Sequence, residues 1–222
     1  MTALILAATS DQRWRNHLGV PKHLVPIKGE PLIHRTQRAL LERGERNVIV
    51  MTQPQWSDDY VIDGATWQEP KPSPREFVQE WDGSRHLWNN NGKTLIVYGD
   101  CYMTDELLDA MTQDNGEPWK AYARWNPSAI TGKEYGEMFG WTFTPDAHDL
   151  LDRARVDAIA AHLEGRWHRV LGWEVYRLAV GFQVNEHKRE DVHGIDWSDA
   201  SDDFDRPQDL DKWLERNRHL AE

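Results

Sequence analysis

The sequence predicts an α/β fold of three layers, with helices on both faces of a mostly parallel central sheet. Three observations carry that prediction. Ala3–Ala8 is a continuous apolar run without the alternation of a strand that is wet on one face. Next, a helical pattern over Leu32–Arg43 is followed by a second apolar run, Asn47–Thr52. Strand, helix and strand in that order form a parallel crossover, which needs a sheet with its faces covered. Finally, Thr94–Tyr98 (TLIVY) is a third apolar run, closed by Gly99-Asp100.

The remaining elements follow along the chain. Thr9–Gly19 is polar and reads as the loop leaving the first strand. Pro21, Pro26 and Pro31 keep the next stretch extended. Pro31 suits a helix start, because the N–H it lacks is one a helix leaves unbonded. Leu32, Ile33, Ala39, Leu40 and Leu41 give the first helix its apolar face, and Gly44 stands where a helix turns left-handed to end. Gln53–Pro74 holds four prolines and reads as a loop with one short strand near Ala65–Gln68. A helix is expected over Arg75–Trp88, stopped by Asn89-Asn90-Asn91-Gly92. Thr104 is placed to cap a helix running through Met111. Trp119–Trp125 and Met138–Thr144 are expected strands, and Asp146–Gly165 and His168–Val180 expected helices. The closing helix begins near Pro207, behind Asp202, Asp203 and Asp205. No linker or compositional break interrupts the series, so one domain over residues 1–222 is expected.

Composition narrows the function classes. The chain carries 26 Lys and Arg against 37 Asp and Glu, a net charge of −11 that disfavours tight binding to a nucleic-acid backbone. Basic residues nevertheless outnumber Glu30, Glu42 and Glu45 between Arg13 and Arg46, so an anionic ligand is expected against the N-terminal third. The single cysteine, Cys101, excludes an internal disulfide framework and fits a reducing compartment. Ala3–Ala8 is too short to span a bilayer and follows no basic segment, so no signal peptide and no membrane partner are expected, and the cytoplasm is the expected location. No feature specifies an oligomeric state.

Ligands of open α/β sheets bind beyond the carboxyl ends of the strands. Arg13 and Lys22 follow the first strand and are candidates to neutralise phosphate oxygens, with a solvated basic loop as the alternative. Asp100 follows an apolar strand and a glycine, where a carboxylate can hold Mg²⁺ or simply cap a turn. Asp203–Leu210 is either a second source of ligands or an acidic helix start favoured by the helix dipole. Trp14 is read as stacking on a base or covering its loop. Tyr135-Gly136-Glu137 and His193-Gly194 are read as walls of an acceptor pocket or as surface turns. The Arg166–Arg177 stretch, with Trp167 and Trp173, faces either a partner or the core. His17, His23 and His34 are spaced too irregularly for zinc, and Cys101 is a small buried residue rather than a nucleophile.

Together the blocks Leu4-Ile5-Leu6-Ala7-Ala8, Arg13, Pro21-Lys22-His23-Leu24 and Gly29-Glu30-Pro31-Leu32-Ile33 resemble the signature of the nucleotidyltransferases of the GT-A fold. These include the sugar-phosphate nucleotidyltransferases and the MobA-like molybdopterin transferases. Val97-Tyr98-Gly99-Asp100 is similar to the family's metal-binding Gly-Asp, and Asp203-Phe204-Asp205-Arg206-Pro207-Gln208-Asp209-Leu210 to its terminal acidic motif. The resemblance is loose over residues 53–93 and 113–200. It implies that Lys22, Arg13 and Asp100 are catalytic. It places the nucleotide against Ala7, Ala8, Thr9, Ser10, Arg13 and Lys22. Asp100 and Asp205 are implied to hold Mg²⁺ (or Mn²⁺). Where the family has Gly-x-Gly this chain has Thr9-Ser10-Asp11, which removes the close backbone approach that glycines give a triphosphate.

The activity implied is transfer of a nucleoside monophosphate from a nucleoside triphosphate to a small phosphorylated acceptor such as a sugar phosphate. The alternative is glycosyl transfer from a nucleotide sugar on the same scaffold, which the missing glycines favour. Its acceptor could be a modified base in phage DNA, which the net charge does not favour. A noncatalytic nucleotide-binding domain is the third reading.

Overall fold

The computed structural model describes residues 1–8, 13–71, 79–113, 116–168 and 170–221. Along the chain come β1 (Thr2–Leu6), the small hairpin β2 (Pro26–Ile27) and β3 (Glu30–Pro31), α1 (Leu32–Glu42) and β4 (Asn47–Met51). Then follow α2 (Ser57–Tyr60), β5 (Thr66–Gln68), α3 (Gln79–Ser84), β6 (Thr94–Tyr98), β7 (Cys101–Tyr102) and α4 (Asp105–Thr112). The second half holds β8 (Trp119–Arg124), β9 (Glu137–Phe143), α5 (His148–Leu163), α6 (Gly172–Ala179), β10 (Gly194–Asp196), β11 (Asp202–Asp203), α7 (Pro207–Arg216) and α8 (Arg218–Ala221).

Seven strands form one sheet in the order β10-β8-β9-β6-β1-β4-β5. β1 lies centrally and pairs in parallel with β4 and β6, Leu4 standing opposite Ile49 and Ile96. Only β9 runs against its neighbours β6 and β8. Gly140 makes that insertion possible, since a Cβ there would stand 2.3 Å from the Ile96 carbonyl oxygen. The carboxyl ends of β1, β4, β5, β6 and β8 therefore share one edge with the start of β9.

Alternate side chains of β1, β4 and β6 enter two separate cores, which is why these strands read as continuous apolar runs. Leu4, Leu6, Met51 and Ile96 pack with Trp81, Trp88, Trp119, Trp141 and the small residues of α5. Ala3, Ile5, Val50 and Val97 pack with Ile33 and Leu40 of α1 and Leu107, Leu108 and Met111 of α4. A third, smaller core joins Trp14, Tyr102, Phe204, Leu210 and Trp213 beneath α7. Helices on both faces of a mostly parallel sheet are the expected three layers.

Several boundaries differ from expectation. Only Gln79–Ser84 of the expected Arg75–Trp88 helix is α-helical, followed by a single 3-10 turn over Arg85–Leu87, and residues 75–78 lie outside the described residues. There Ser84 hydrogen-bonds the Trp81 carbonyl and accepts from Trp88 Nε1 at 3.0 Å, competing with the helical ladder. The expected His168–Val180 helix begins at Gly172, because the Leu171 N–H is taken by the Glu174 carboxylate at 2.7 Å as an N-terminal cap. Among the described residues no helix is long and apolar enough to cross a membrane.

Candidate active site

The edge where β1 and β6 end is built by close backbone packing. Gly99 donates its N–H to the Leu6 carbonyl at 2.8 Å, and a Cβ on it would meet that oxygen at 3.0 Å and His23 at 3.3 Å. Glycine is needed there for proximity, so Asp100 emerges directly beside the end of β1. Ala7 is buried and Ala8 half-buried at that edge, while Thr9 and Ser10 lie outside the described residues.

In the described part of the loop after β1, Trp14 is the buried anchor. Trp14 is fully buried in the third core and donates Nε1 to the Val20 carbonyl at 2.8 Å. It has no free face for a base, so stacking gives way to packing. Around it Arg15, Asn16 and Leu18 hold left-handed backbone, with φ of 54°, 54° and 58°. Non-glycine residues adopt this conformation at a cost of roughly 1 kcal/mol each, which the buried indole offsets. Arg13, next to that anchor, reaches over the edge to Asp205.

Asp205 arrives from far along the sequence by strand pairing. β11 pairs antiparallel with β7, Asp203 opposite Cys101, and the Phe204 N–H donates to the Asp100 carbonyl at 3.3 Å. The convergence expected of Asp100 and Asp205 therefore occurs. Lys22 Nζ contacts Asp100 Oδ2 and stands 3.6 Å from Asp205 Oδ1, and Arg13 Nη1 lies 2.5 Å from Asp205 Oδ2. Asp100 and Asp205 remain 19 % and 16 % exposed, whereas Arg13 is 59 % exposed. Asp100, Asp203 and Asp205 each offer an oxygen within 4.8 Å of the others. Oxygen donors of this kind fit a hard divalent cation such as Mg²⁺.

The surroundings tune these groups. Burial alone would raise the Asp100 carboxyl, but the Lys22 ammonium, with His23 and hydrogen bonding, holds it well below the usual carboxylate range. Burial, then Lys22, lowers His23 to about 3, so its imidazole is neutral. His23 Nδ1 pairs with the Tyr60 hydroxyl at 3.1 Å. His34 meets the Asp59 carbonyl and His17 packs on Trp14, so the three histidines do not converge. Cys101 is buried and its thiol pushed well above its ordinary value, again by burial first, leaving it unreactive.

Sequence reasoning missed a second set of charges here. Lys133, in the loop from β8 to β9, is buried with its Nζ on Asp203 and 3.6 Å from Asp209 Oδ2. Arg124, at the end of β8, lies 3.0 Å from Asp202 Oδ1, and Ser128 and Thr131 donate to Asp202 Oδ2 at 2.6 and 2.9 Å. Glu137 opens β9 at the same edge. Burial raises its carboxyl to about 7, Lys133 opposing and Asp205 and Asp100 adding to the rise. Nothing in a polar loop sequence announced these burials, although Asp203 stood inside the acidic motif. Of the other candidates, Tyr135 is exposed near the edge. His193 stacks on Trp119 at the opposite edge, and Gly194 starts β10 there, so neither lines the site. Trp167 and Trp173 face inward, onto Glu174 and Trp125.

No protein-family model matches the chain. A glucose-1-phosphate thymidylyltransferase of Neisseria meningitidis is 27 % identical over 153 residues, covering 63 % of this chain and 53 % of that protein. The chain thus spans about half the length of the curated relative it matches. The inositol-1-phosphate CTP transferase of T. maritima superposes with a TM-score of 0.64 over 96 % of both chains, at 14 % identity. A putative glucose-1-phosphate thymidylyltransferase of Bacillus anthracis gives 0.64 over 98 % of this chain and 95 % of its own, at 12 % identity. CTP:phosphocholine cytidylyltransferase of Streptococcus pneumoniae gives 0.62 over 97 % and 98 %, at 16 % identity. The chain thus shares its fold with these nucleotidyltransferases along nearly its whole length, and is similar in sequence to a thymidylyltransferase along part of it.

Proposed function

We propose that this chain is a metal-dependent nucleotidyltransferase, with residues 1–222 acting as one catalytic domain. A phosphate oxygen of the acceptor attacks the α-phosphorus of a nucleoside triphosphate. A new P–O bond forms, the bond from the α-phosphorus to the bridging oxygen breaks, and pyrophosphate leaves. The relatives' names, glucose-1-phosphate, inositol-1-phosphate and phosphocholine transferases among them, support a phosphomonoester as the acceptor class.

One observation carries the reading, the meeting of Asp100, Asp205, Lys22 and Arg13 at the carboxyl edge of the sheet. Mg²⁺ or Mn²⁺ bound by Asp100 and Asp205 supplies charge neutralisation at the phosphates. Lys22, held in a tight turn, acts as a point charge on the α-phosphate, where charge grows as the reaction proceeds. Arg13, long and exposed, grips the outer phosphates with its fork. Ala7 and Ala8, at the end of β1, lie beneath the nucleoside in this reading. Neither Cys101 nor His23 has the exposure to serve as a nucleophile.

The test is pyrophosphate release with a panel of nucleoside triphosphates and phosphomonoesters, together with thermal stabilisation by each ligand with Mg²⁺. Asp100→Asn is expected to abolish turnover with the melting temperature retained. Full activity in that variant, or stabilisation by nucleotide sugars alone, would overturn the reading.

A further inference from the structure

The proposed cation site holds more carboxylate than it exposes. Asp203 has an oxygen within 4.8 Å of oxygens of both Asp100 and Asp205, and by proximity alone would be a third ligand. Two features set it apart. Its side chain is 5 % exposed, so it faces inward while the other two open onto the edge. It is also already gripped: Lys133 Nζ contacts Asp203 Oδ1 and donates to the Asp203 carbonyl oxygen at 3.1 Å. The same ammonium lies 3.6 Å from Asp209 Oδ2 and 3.9 Å from Glu137 Oε2. One buried cation thus serves carboxylates brought by β11, α7 and β9.

An ammonium has three hydrogens and no acceptor, so it can hold several oxygens at once. A divalent ion competing for Asp203 must first displace a buried lysine from its nearest carboxylate, leaving it the more distant Asp209 and Glu137 at 3.6 and 3.9 Å. At Asp100 the corresponding lysine, Lys22, is as buried as Lys133, but its partners Asp100 and Asp205 open onto the edge, whereas the Asp203 and Asp209 carboxylates beside Lys133 are buried. The hold of Lys133 on the Asp203 carbonyl also fixes the backbone two residues before Asp205.

We propose that Lys133 is a positioning residue that withdraws Asp203 from the cation and sets Asp205 opposite Asp100. The proposal rests on the reading of Asp100 and Asp205 as cation ligands. Asp203 is then a structural acid, and the cation takes two carboxylates and completes its shell with phosphate and water.

Mn²⁺ binding to the full chain, followed by the electron paramagnetic resonance of the free ion with an α,β-methylene nucleoside triphosphate present, tests it. Asp203→Asn is expected to leave Mn²⁺ affinity within about twofold of the parent, whereas loss of a true ligand costs at least about tenfold. Lys133→Met is expected to free Asp203 for the ion. Mn²⁺ should bind roughly tenfold tighter while kcat falls roughly 100-fold and KM for the nucleotide moves little. Should Lys133→Met fail to fold, the double variant K133M/D203N removes both charges and is expected to bind Mn²⁺ as the parent does. A tenfold loss of affinity in Asp203→Asn, or a Lys133→Met protein that is merely less stable with unchanged Mn²⁺ affinity, overturns the proposal. If Asp100→Asn and Asp205→Asn also leave Mn²⁺ affinity unchanged, the cation-site reading itself has failed.

Discussion

Replacing Lys22 with methionine is expected to change metal and nucleotide binding in opposite directions. In the structure the Lys22 ammonium sits where a cation would, on Asp100 and 3.6 Å from Asp205. Mn²⁺ arriving without nucleotide must displace it. At 3.6 Å two unit charges attract by about 4 to 5 kcal/mol at an effective dielectric constant near 20. Water reaching the carboxylates, and the attraction that persists after the lysine moves, reduce this to about 1.5 to 3 kcal/mol of competition. Lys22→Met should therefore tighten Mn²⁺ alone by roughly 10- to 100-fold. The same variant lacks a phosphate contact, so it should bind a non-hydrolysable nucleoside triphosphate more weakly and lose the mutual enhancement between metal and nucleotide. Isothermal titration of each ligand, alone and with the other present, measures all four affinities. An unchanged or weaker Mn²⁺ affinity in the absence of nucleotide would refute the competition.

Two further outcomes test the surroundings of the site. Arg124→Met removes the guanidinium from the fully buried Asp202, leaving it the Ser128 and Thr131 hydroxyls and the Asp203 N–H but no counter-charge from Arg124, and is expected to destabilise the fold by about 3 to 5 kcal/mol in urea titration. A loss below about 1 kcal/mol would mean that the pair holds nothing in place. For Glu137, burial raises the folded-state carboxyl from 4.5 to about 7, so between these values the folded protein keeps a proton that the unfolded chain has released. Stability should fall by about 3 kcal/mol as pH rises through that window and level off above it. Glu137→Gln should flatten the slope, and an identical slope in the variant would assign the proton elsewhere.

The sheet was legible where burial on both faces wrote itself into the sequence. β1, β4 and β6 are continuous apolar runs after their first residues, because their alternate residues enter two cores. The reversal of β9 was not legible, because direction depends on which neighbours a strand finds and Met138–Thr144 carries the same pattern either way. β10 is three residues in a polar stretch and gave no periodicity to read. At the site, Lys22, Asp100 and Asp205 stood in recognisable blocks, and the resemblance rather than their spacing brought them together. Lys133 and Arg124 stood in no block. Their burial is created by β11 closing on β7, a contact between segments about a hundred residues apart whose pairing spans only two residues. Trp14 shows the converse: an indole beside a ligand loop invites a stacking role, yet this one is the peg on which the loop hangs.

The reversed strand has a consequence for how such a cleft can be altered. Because β9 comes back from the edge that β8 reaches, the whole connection over residues 125–136 overhangs the ligand side and crosses none of the sheet. Its middle is clipped to the acidic segment by Ser128, Thr131 and Lys133, and to α7 through the Ala129 and Thr131 carbonyls, which accept from Arg216 and Lys212. The exposed flanks, Asn126-Pro127 and Glu134-Tyr135, can change chemistry without breaking these clips. This wall of the cleft and the acidic floor beneath it are thus one unit, and a change in the length of the connection moves both.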